Sequence, residues 1–141
     1  MNVDRDRLPQ WGWLLVGLIL TATTANVLNA AVFFQIGLDD SYGVVTVIAA
    51  MSPVLIYVGI WHDEDRRHYW ENSRAWIYSD VTMIVAGAAL GAAVAMVVLI
   101  DLIDQQLLRE LLAMVVGFFS GWLLFFFRNP EVYRGSPDDR R

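Results

Sequence analysis

Four apolar stretches, separated by short polar ones, account for most of this 141-residue chain. They cover approximately residues 11–38, 44–61, 81–100 and 107–127. At a rise of about 1.5 Å per residue, helices of these lengths approach or exceed the roughly 30 Å thickness of a bilayer's hydrocarbon core. The pattern therefore predicts an all-α integral membrane protein whose transmembrane domain, residues 11–127, contains four helices.

Both ends of the chain are polar. Residues 1–10 (MNVDRDRLPQ) are predicted to form a short cytoplasmic N-terminal segment. Residues 128–141 (RNPEVYRGSPDDRR) contain two prolines and no apolar run, so a disordered cytoplasmic tail is predicted there.

One long polar passage lies between the two ends, and an interfacial helix over residues 62–80 is predicted from it. In such a helix Asp63, Arg67 and Glu71 share one face because they follow one another at steps of four, and this face is expected to meet water or a cytoplasmic partner. Arg66 is placed to stack over Trp70. The side chains predicted to dock the helix at the bilayer surface are Trp61, Tyr69, Trp70, Trp76 and Ile77.

Small residues recur at steps of four in the third and fourth apolar stretches. They are Gly87, Gly91 and Ala95 in the third, and Ala113, Gly117 and Gly121 in the fourth. Because small side chains at this spacing let helix backbones approach closely, these two helices are predicted to pack on each other, or one of them on a second copy of the chain.

The first stretch is the most polar, with Thr21, Thr24, Asn26, Asn29 and Gln35 among its uncharged polar residues. Threonine hydroxyls can bond back to their own helix, whereas asparagine amides need partners on other helices or in water. An oligomer that lines a passive pore, or a small transporter, is therefore the alternative function. Ionisable side chains lie outside the stretches or at their edges, which does not favour an ion-coupled carrier.

Arginine placement predicts the orientation in the membrane. Nine of the ten arginines, all but Arg109, lie before the first stretch, between the second and third, or after the fourth. The opposite connections carry mainly acidic residues: Asp39, Asp40, Asp101, Asp104 and Glu110. By the positive-inside rule, both termini and the central segment are expected on the cytoplasmic side, or in the interior of a virion.

No chemistry-bearing motif stands out. Glu64, His68 and Glu71 would share a helical face and could hold a divalent metal, but charged residues interleave throughout this segment, so no metal site is predicted. The chain has no cysteine, no phosphate-binding loop and no nucleophile paired with a base, so neither catalytic residues nor a cofactor are expected. With a net charge of −5, direct binding of nucleic acid is not expected either.

Composition adds an environment to this architecture. All ten basic residues are arginine, and 15 acidic residues give a surface that stays hydrated in concentrated salt, which favours a halophilic archaeal origin. Four spans in about 140 residues, termini inside and a lysine-free acidic composition resemble the small membrane proteins of haloarchaeal pleomorphic viruses. That resemblance implies a structural protein lining the inner side of an envelope. The predicted partners are the lipid bilayer and either a second copy of the chain or another membrane protein.

Overall fold

The computed structural model describes residues 7–134, and every regular element in that range is helical. The α-helices are α1 (Gln10–Leu28), α2 (Gly43–His62), α3 (Arg74–Leu99), α4 (Gln106–Arg128) and the single turn α5 (Glu131–Arg134). A π-helical turn at Asn29–Phe33 extends α1, and short 3₁₀ helices occupy Asp40–Tyr42 and Arg67–Glu71. Four of these helices, counting the turns that extend them, are long and apolar enough to cross a membrane. The predicted all-helical class and its four long apolar helices are confirmed.

The four long helices are not equivalent in their packing. α3 and α4 form the most extensive helix pair, α2 packs against both of them, and α1 packs mainly against α2. α1 is consequently the least buried of the four. The result is a core of three helices with α1 at its periphery.

Successive helices run in opposite directions, so one end of the bundle collects the start of α1, the end of α2, the start of α3 and the end of α4. The rings of Trp13 and Trp61 meet there with their centroids 5.6 Å apart. Arg66, Arg67, Arg74 and Arg128 lie at the same end, which is called the arginine-rich end below. At the opposite end, Asn29 donates from Nδ2 to the carbonyl oxygen of Gly43, 3.0 Å away, and ties α1 to the start of α2.

Small residues line the contact between α3 and α4. A Cβ atom added at Gly121 would lie 2.6 Å from the carbonyl oxygen of Ile84, and one at Gly117 would lie 2.8 Å from that of Ala88. A Cβ at Gly87 would lie 3.1 Å from the Cα atom of Gly121, and one at Gly91 would overlap the side chain of Ser120. Ala95 and Ala113 are buried in one core cluster with Met96. All six residues of the predicted packing stripes therefore lie on this contact.

The polar segment between α2 and α3 is not one helix, which corrects the predicted interfacial helix over residues 62–80. α2 continues to His62, a turn follows, and α3 already begins at Arg74. Local hydrogen bonds explain the break: Asp63 Oδ1 accepts from the backbone N–H of Asp65 at 3.0 Å, and Ser73 Oγ caps α3 by accepting from the N–H of Trp76 at 3.3 Å. α3 is thus longer at its start than the predicted span 81–100.

The predicted disordered tail starts too early. Asn129 and Val132 are buried, and the carbonyl oxygen of Pro130 accepts from the N–H of Arg134 at 3.1 Å in the single turn of α5. Val132 and Tyr133 pack against the main core cluster, so apolar burial extends the fold to this point. Residues 135–141 of the predicted tail, and residues 1–6 of the predicted N-terminal segment, lie outside the described residues.

The first predicted span, residues 11–38, also ends earlier as a regular helix. α1 stops at Leu28 and the π-helical turn ends at Phe33. Gly37 then adopts a φ of 95°, a conformation that L side chains rarely take. Asp39 opens the next turn by accepting at Oδ1 from the N–H of Ser41 at 2.9 Å, and this hydrogen bond holds the pKa of Asp39 below its usual value.

Candidate functional site

A fully buried carboxylate, that of Asp80 in the second turn of α3, is the centre of the most extensive polar cluster within residues 7–134. Its Oδ2 accepts from the hydroxyl of Tyr69 at 2.8 Å and from Nδ2 of Asn129 at 2.9 Å. Its Oδ1 pairs with Nε of Arg128 at 2.6 Å. Both carboxylate oxygens therefore have a partner, as a buried charge requires.

The partners of Asp80 also contact one another through Trp76. The guanidinium of Arg128 lies over the Trp76 ring, 4.1 Å from its centroid. The indole Nε1 of Trp76 donates to Oδ1 of Asn129 at 3.1 Å. A closed ring of contacts thus joins the start of α3 to the end of α4, and the cation–π contact adds orientation to the ion pair.

A second hydroxyl extends the cluster to α2. Tyr57 OH lies 3.0 Å from Tyr69 OH, so hydrogen bonds run from α2 through the central segment to Asp80. Burial, together with the hydrogen bonds to Tyr57 and Asp80, raises the pKa of Tyr69. Tyr69 therefore stays a neutral phenol that can donate to the carboxylate. These six residues are called the Asp80 network: Tyr57, Tyr69, Trp76, Asp80, Arg128 and Asn129.

Aromatic rings shield one side of the Asp80 network. Tyr69 packs on Phe125 at a centroid distance of 5.6 Å, within a core cluster that includes Ile60 and Ile84. Nearby, Trp122 Nε1 donates to the hydroxyl of Tyr133 at 3.1 Å, and burial raises the pKa of Tyr133. This apolar surround strengthens the electrostatic contacts of Asp80 by excluding water.

Arg66 stacks on a different ring from the predicted one. Its guanidinium lies 5.0 Å from the centroid of Tyr133, not over Trp70, because residues 63–66 form a turn and not a helix. Arg66 also pairs with Asp63, Nε to Oδ2 at 3.0 Å. The contact joins the central segment to α5.

The five predicted docking residues do not share one exposed face. Tyr69 is fully buried in the Asp80 network, and Ile77 packs against the core cluster. Trp76, 41% exposed, covers Arg128. Trp61 and Trp70 border a groove beside α2.

The histidines and nearby acids are dispersed. His68 Nδ1 lies 3.0 Å from the carbonyl oxygen of Asp65, and His62 Nδ1 lies 3.1 Å from that of Val58. Residues 7–134 contain no group of three or more side chains placed to hold a metal ion. Glu64, His68 and Glu71 do not share a helical face here, since the helix containing all three is absent.

Most polar side chains predicted inside the first span bond within their own segment. Thr21 donates to Gly17 O and Thr24 to Leu20 O, both at 2.8 Å, and Asn26 donates to Ala22 O at 2.9 Å. Gln35 donates to Ala30 O at 3.3 Å. Asn29 alone among the five reaches another helix, through Gly43.

Sequence reasoning missed the Asp80 network as a site. Asp80 was counted as the end of a polar segment, and Arg128 and Asn129 as the start of a tail. A usable signal was present: an acidic residue at the start of one span and an arginine at the end of another, when small-residue stripes already predicted that these two spans pack together.

The fold and the site together define a small all-helical protein with four helices apolar enough to cross a membrane and a buried ionic cluster joining three of them at one end. No protein-family model, curated protein or solved structure matches this chain.

Proposed function

We propose that this chain is a small structural or scaffolding protein, integral to a halophilic archaeal membrane or virion envelope. It spans the bilayer four times, with both termini and the arginine-rich end on the cytoplasmic or virion-interior side. The observation that carries this proposal is the Asp80 network, because its carboxylate is saturated by partners and acts as a lock between helices. A carboxylate held in this way is poorly suited to act as a nucleophile or a base.

The outward faces of the helices support membrane insertion. Large apolar side chains such as Leu90, Val94 and Phe127 are more than 60% exposed. Such faces are too extensive for a monomer in water, and lipid satisfies them. The tryptophans and arginines at one end correspond to an interfacial belt on the cytoplasmic side.

The side chains of α1 favour a structural role over a pore. Thr21 and Thr24 spend their hydroxyl hydrogens on carbonyls of α1 itself, which leaves them little to offer a permeating ion or solute. Both border a small groove of about 240 Å³ together with apolar residues of α1 and α2. An oligomeric pore is the outcome that would replace the present proposal.

Two partners follow from this placement. The bilayer covers the apolar faces, and a second copy of the chain or another membrane protein is proposed to pack beside α1 or α4, whose outer faces are the most exposed. The 3₁₀ helix Arg67–Glu71 is proposed to lie at the membrane interface, with Glu71 facing water. The lysine-free, acidic composition supports the halophilic setting.

Two measurements test the proposal. In liposomes, the purified full chain should leave an imposed ion gradient intact, at protein densities where a known channel dissipates it. In the native membrane or envelope, quantitative mass spectrometry should find a copy number comparable with that of the major structural proteins. A low copy number together with gradient collapse would overturn the structural reading in favour of a pore.

A further inference from the structure

A groove of about 750 Å³ runs along α2 near the arginine-rich end, and it is separate from the packed core. One face of α2 forms its floor, through Pro53, Val54, Tyr57, Val58 and Trp61. These positions follow the helical repeat, so they make a continuous apolar stripe. The volume lies within the roughly 300–1,000 Å³ typical of ligand pockets.

The groove has an apolar inner part and a charged mouth. Gly17 of α1 closes the inner part, where a Cβ would lie 2.7 Å from Cγ1 of Val54, so the two helices are in close contact there. Arg67 and Trp70, from the 3₁₀ helix, border the groove at the arginine-rich end. Within residues 7–134, the exposed guanidinium of Arg67 makes no ion pair, unlike that of Arg66 or Arg128.

The dimensions of the groove suit one hydrocarbon chain of a lipid. From Pro53 to Trp61 α2 rises by about 12 Å at about 1.5 Å per residue. This is close to the ~15 Å depth of one leaflet, half of a hydrocarbon core of about 30 Å. An alkyl chain lying along α2 would thus bring its headgroup to the level of Arg67.

We infer that this groove is a binding site for an anionic membrane lipid, with one hydrocarbon chain along α2 and the phosphate-bearing headgroup on Arg67. The inference rests on the proposed membrane function. The complementarity is specific: an unpaired guanidinium binds phosphate through charge-assisted hydrogen bonds, and Trp61 and Trp70 flank the glycerol region as interfacial aromatics. A lipid here also touches Tyr57, so it contacts the Asp80 network without entering it.

Retention of lipid during purification tests the inference. The full chain is reconstituted in vesicles of equal parts phosphatidylglycerol and phosphatidylcholine, extracted in mild detergent and affinity-purified, and the retained lipid is quantified by mass spectrometry. The wild type should retain phosphatidylglycerol in preference to phosphatidylcholine. Arg67→Gln should weaken that retention about fivefold, since one arginine near an anionic surface contributes about 1 kcal/mol, and Arg67→Lys should largely restore it.

A second variant probes the hydrocarbon part. Val58→Trp fills the groove and should displace the lipid, whereas Leu90→Trp, on an exposed face of α3, should retain it. Arg74→Gln, an exposed arginine at the same end, is the matched charge control. Equal retention of the two lipids, or wild-type retention in Arg67→Gln or Val58→Trp, would overturn the inference.

The remaining outcomes also discriminate. Loss of bound lipid on adding inorganic phosphate alone would mean that the headgroup site binds free anions, and it would overturn the lipid assignment. Disulfide-linked dimers of Val58→Cys with no retained lipid would assign the groove to a second copy of the chain. Extraction of the protein from vesicles by alkaline carbonate would contradict the proposed membrane function itself, whereas a carbonate-resistant protein without retained lipid contradicts only this inference.

Discussion

Asp80 Oδ1 lies 2.6 Å from Nε of Arg128, so a fully buried carboxylate near the start of α3 pairs with the last residue of α4. Neither residue is costly to bury while the pair is intact. Removing one partner leaves the other charge desolvated and unpaired, which is the more damaging situation. The pair therefore makes the packing of α3 on α4 all-or-none at the arginine-rich end.

The first prediction concerns this pair. Arg128→Gln should lower the free energy of unfolding by about 3 kcal/mol, the low end of the range for breaking a buried pair, because the Arg128 side chain is partly exposed. The double variant with Asp80→Asn should lose less than the sum of the single changes, with a coupling of about 0.5–3 kcal/mol. Denaturant unfolding in detergent provides the measurement.

The Asp63–Arg66 pair is the control for that cycle, since both side chains are about one-third exposed. Asp63→Asn retains an oxygen for the turn hydrogen bond to Asp65 and should change the stability by less than about 1 kcal/mol. Additive effects of the Asp80 and Arg128 substitutions would show that the two side chains do not act as a pair.

Part of this architecture could be predicted from the sequence, because the relevant forces are local or periodic. Long apolar stretches predicted four helices, and the steps of four between Gly117 and Gly121 pointed to the face on which α4 lies against α3. The Asp80 network could not be predicted in the same way, because Asn129 and Asp80 are 49 positions apart and meet only after α3 and α4 have packed.

The central segment shows the opposite error, a local signal that was overlooked. Charges at steps of four suggested a helix, but Asp63 and Ser73 both satisfy backbone N–H groups with their side chains and thereby break it. Ser73 is a preferred N-cap residue, and placing it so would have started α3 at Arg74. The buried Val132 was likewise readable as an apolar position within the predicted tail.

The second prediction concerns alkaline pH. The pKa of Tyr69 is raised above the roughly 10 of a free tyrosine. The neutral phenol therefore contributes its full stability below about pH 10, and this contribution declines as the pH rises towards the raised value, because the unfolded chain then loses protons that the folded chain keeps. The melting temperature in detergent should fall between about pH 9 and 11.

Tyr69→Phe isolates that effect. The variant should lose about 1–3 kcal/mol of stability at neutral pH, since Asp80 loses a donor and Tyr57 loses its hydroxyl partner. Its melting temperature should then depend less on alkaline pH than that of the wild type. Tyr78→Phe, at a 68% exposed position, should keep the wild-type pH profile. Identical pH profiles for Tyr69→Phe and the wild type would remove Tyr69 as the titrating group.

The third prediction concerns the α3–α4 contact. Gly121→Ala should destabilise the protein by about 1–3 kcal/mol, because the new methyl group would meet the Ile84 carbonyl oxygen, which cannot move without shifting α3. Gly59→Ala in α2 is the matched control, since a Cβ there meets nothing within 4 Å. That change should alter the stability by less than about 1 kcal/mol, in the favourable direction. Thermal unfolding in detergent separates the two, and equal effects at both positions would contradict the close approach.

The last prediction tests the proposed orientation. The chain has no cysteine, so single cysteines report without background. Glu71→Cys lies on the central segment and Asp104→Cys on the connection between α3 and α4, and both positions are exposed. Because Arg66, Arg67 and Arg74 flank the first position whereas acidic residues surround the second, the positive-inside rule places them on opposite sides of the membrane. An impermeant thiol reagent should label only Asp104→Cys in intact cells and should label both variants after permeabilisation. Labelling of Glu71→Cys in intact cells would reverse the orientation, and with it the assignment of the arginine-rich end to the interior.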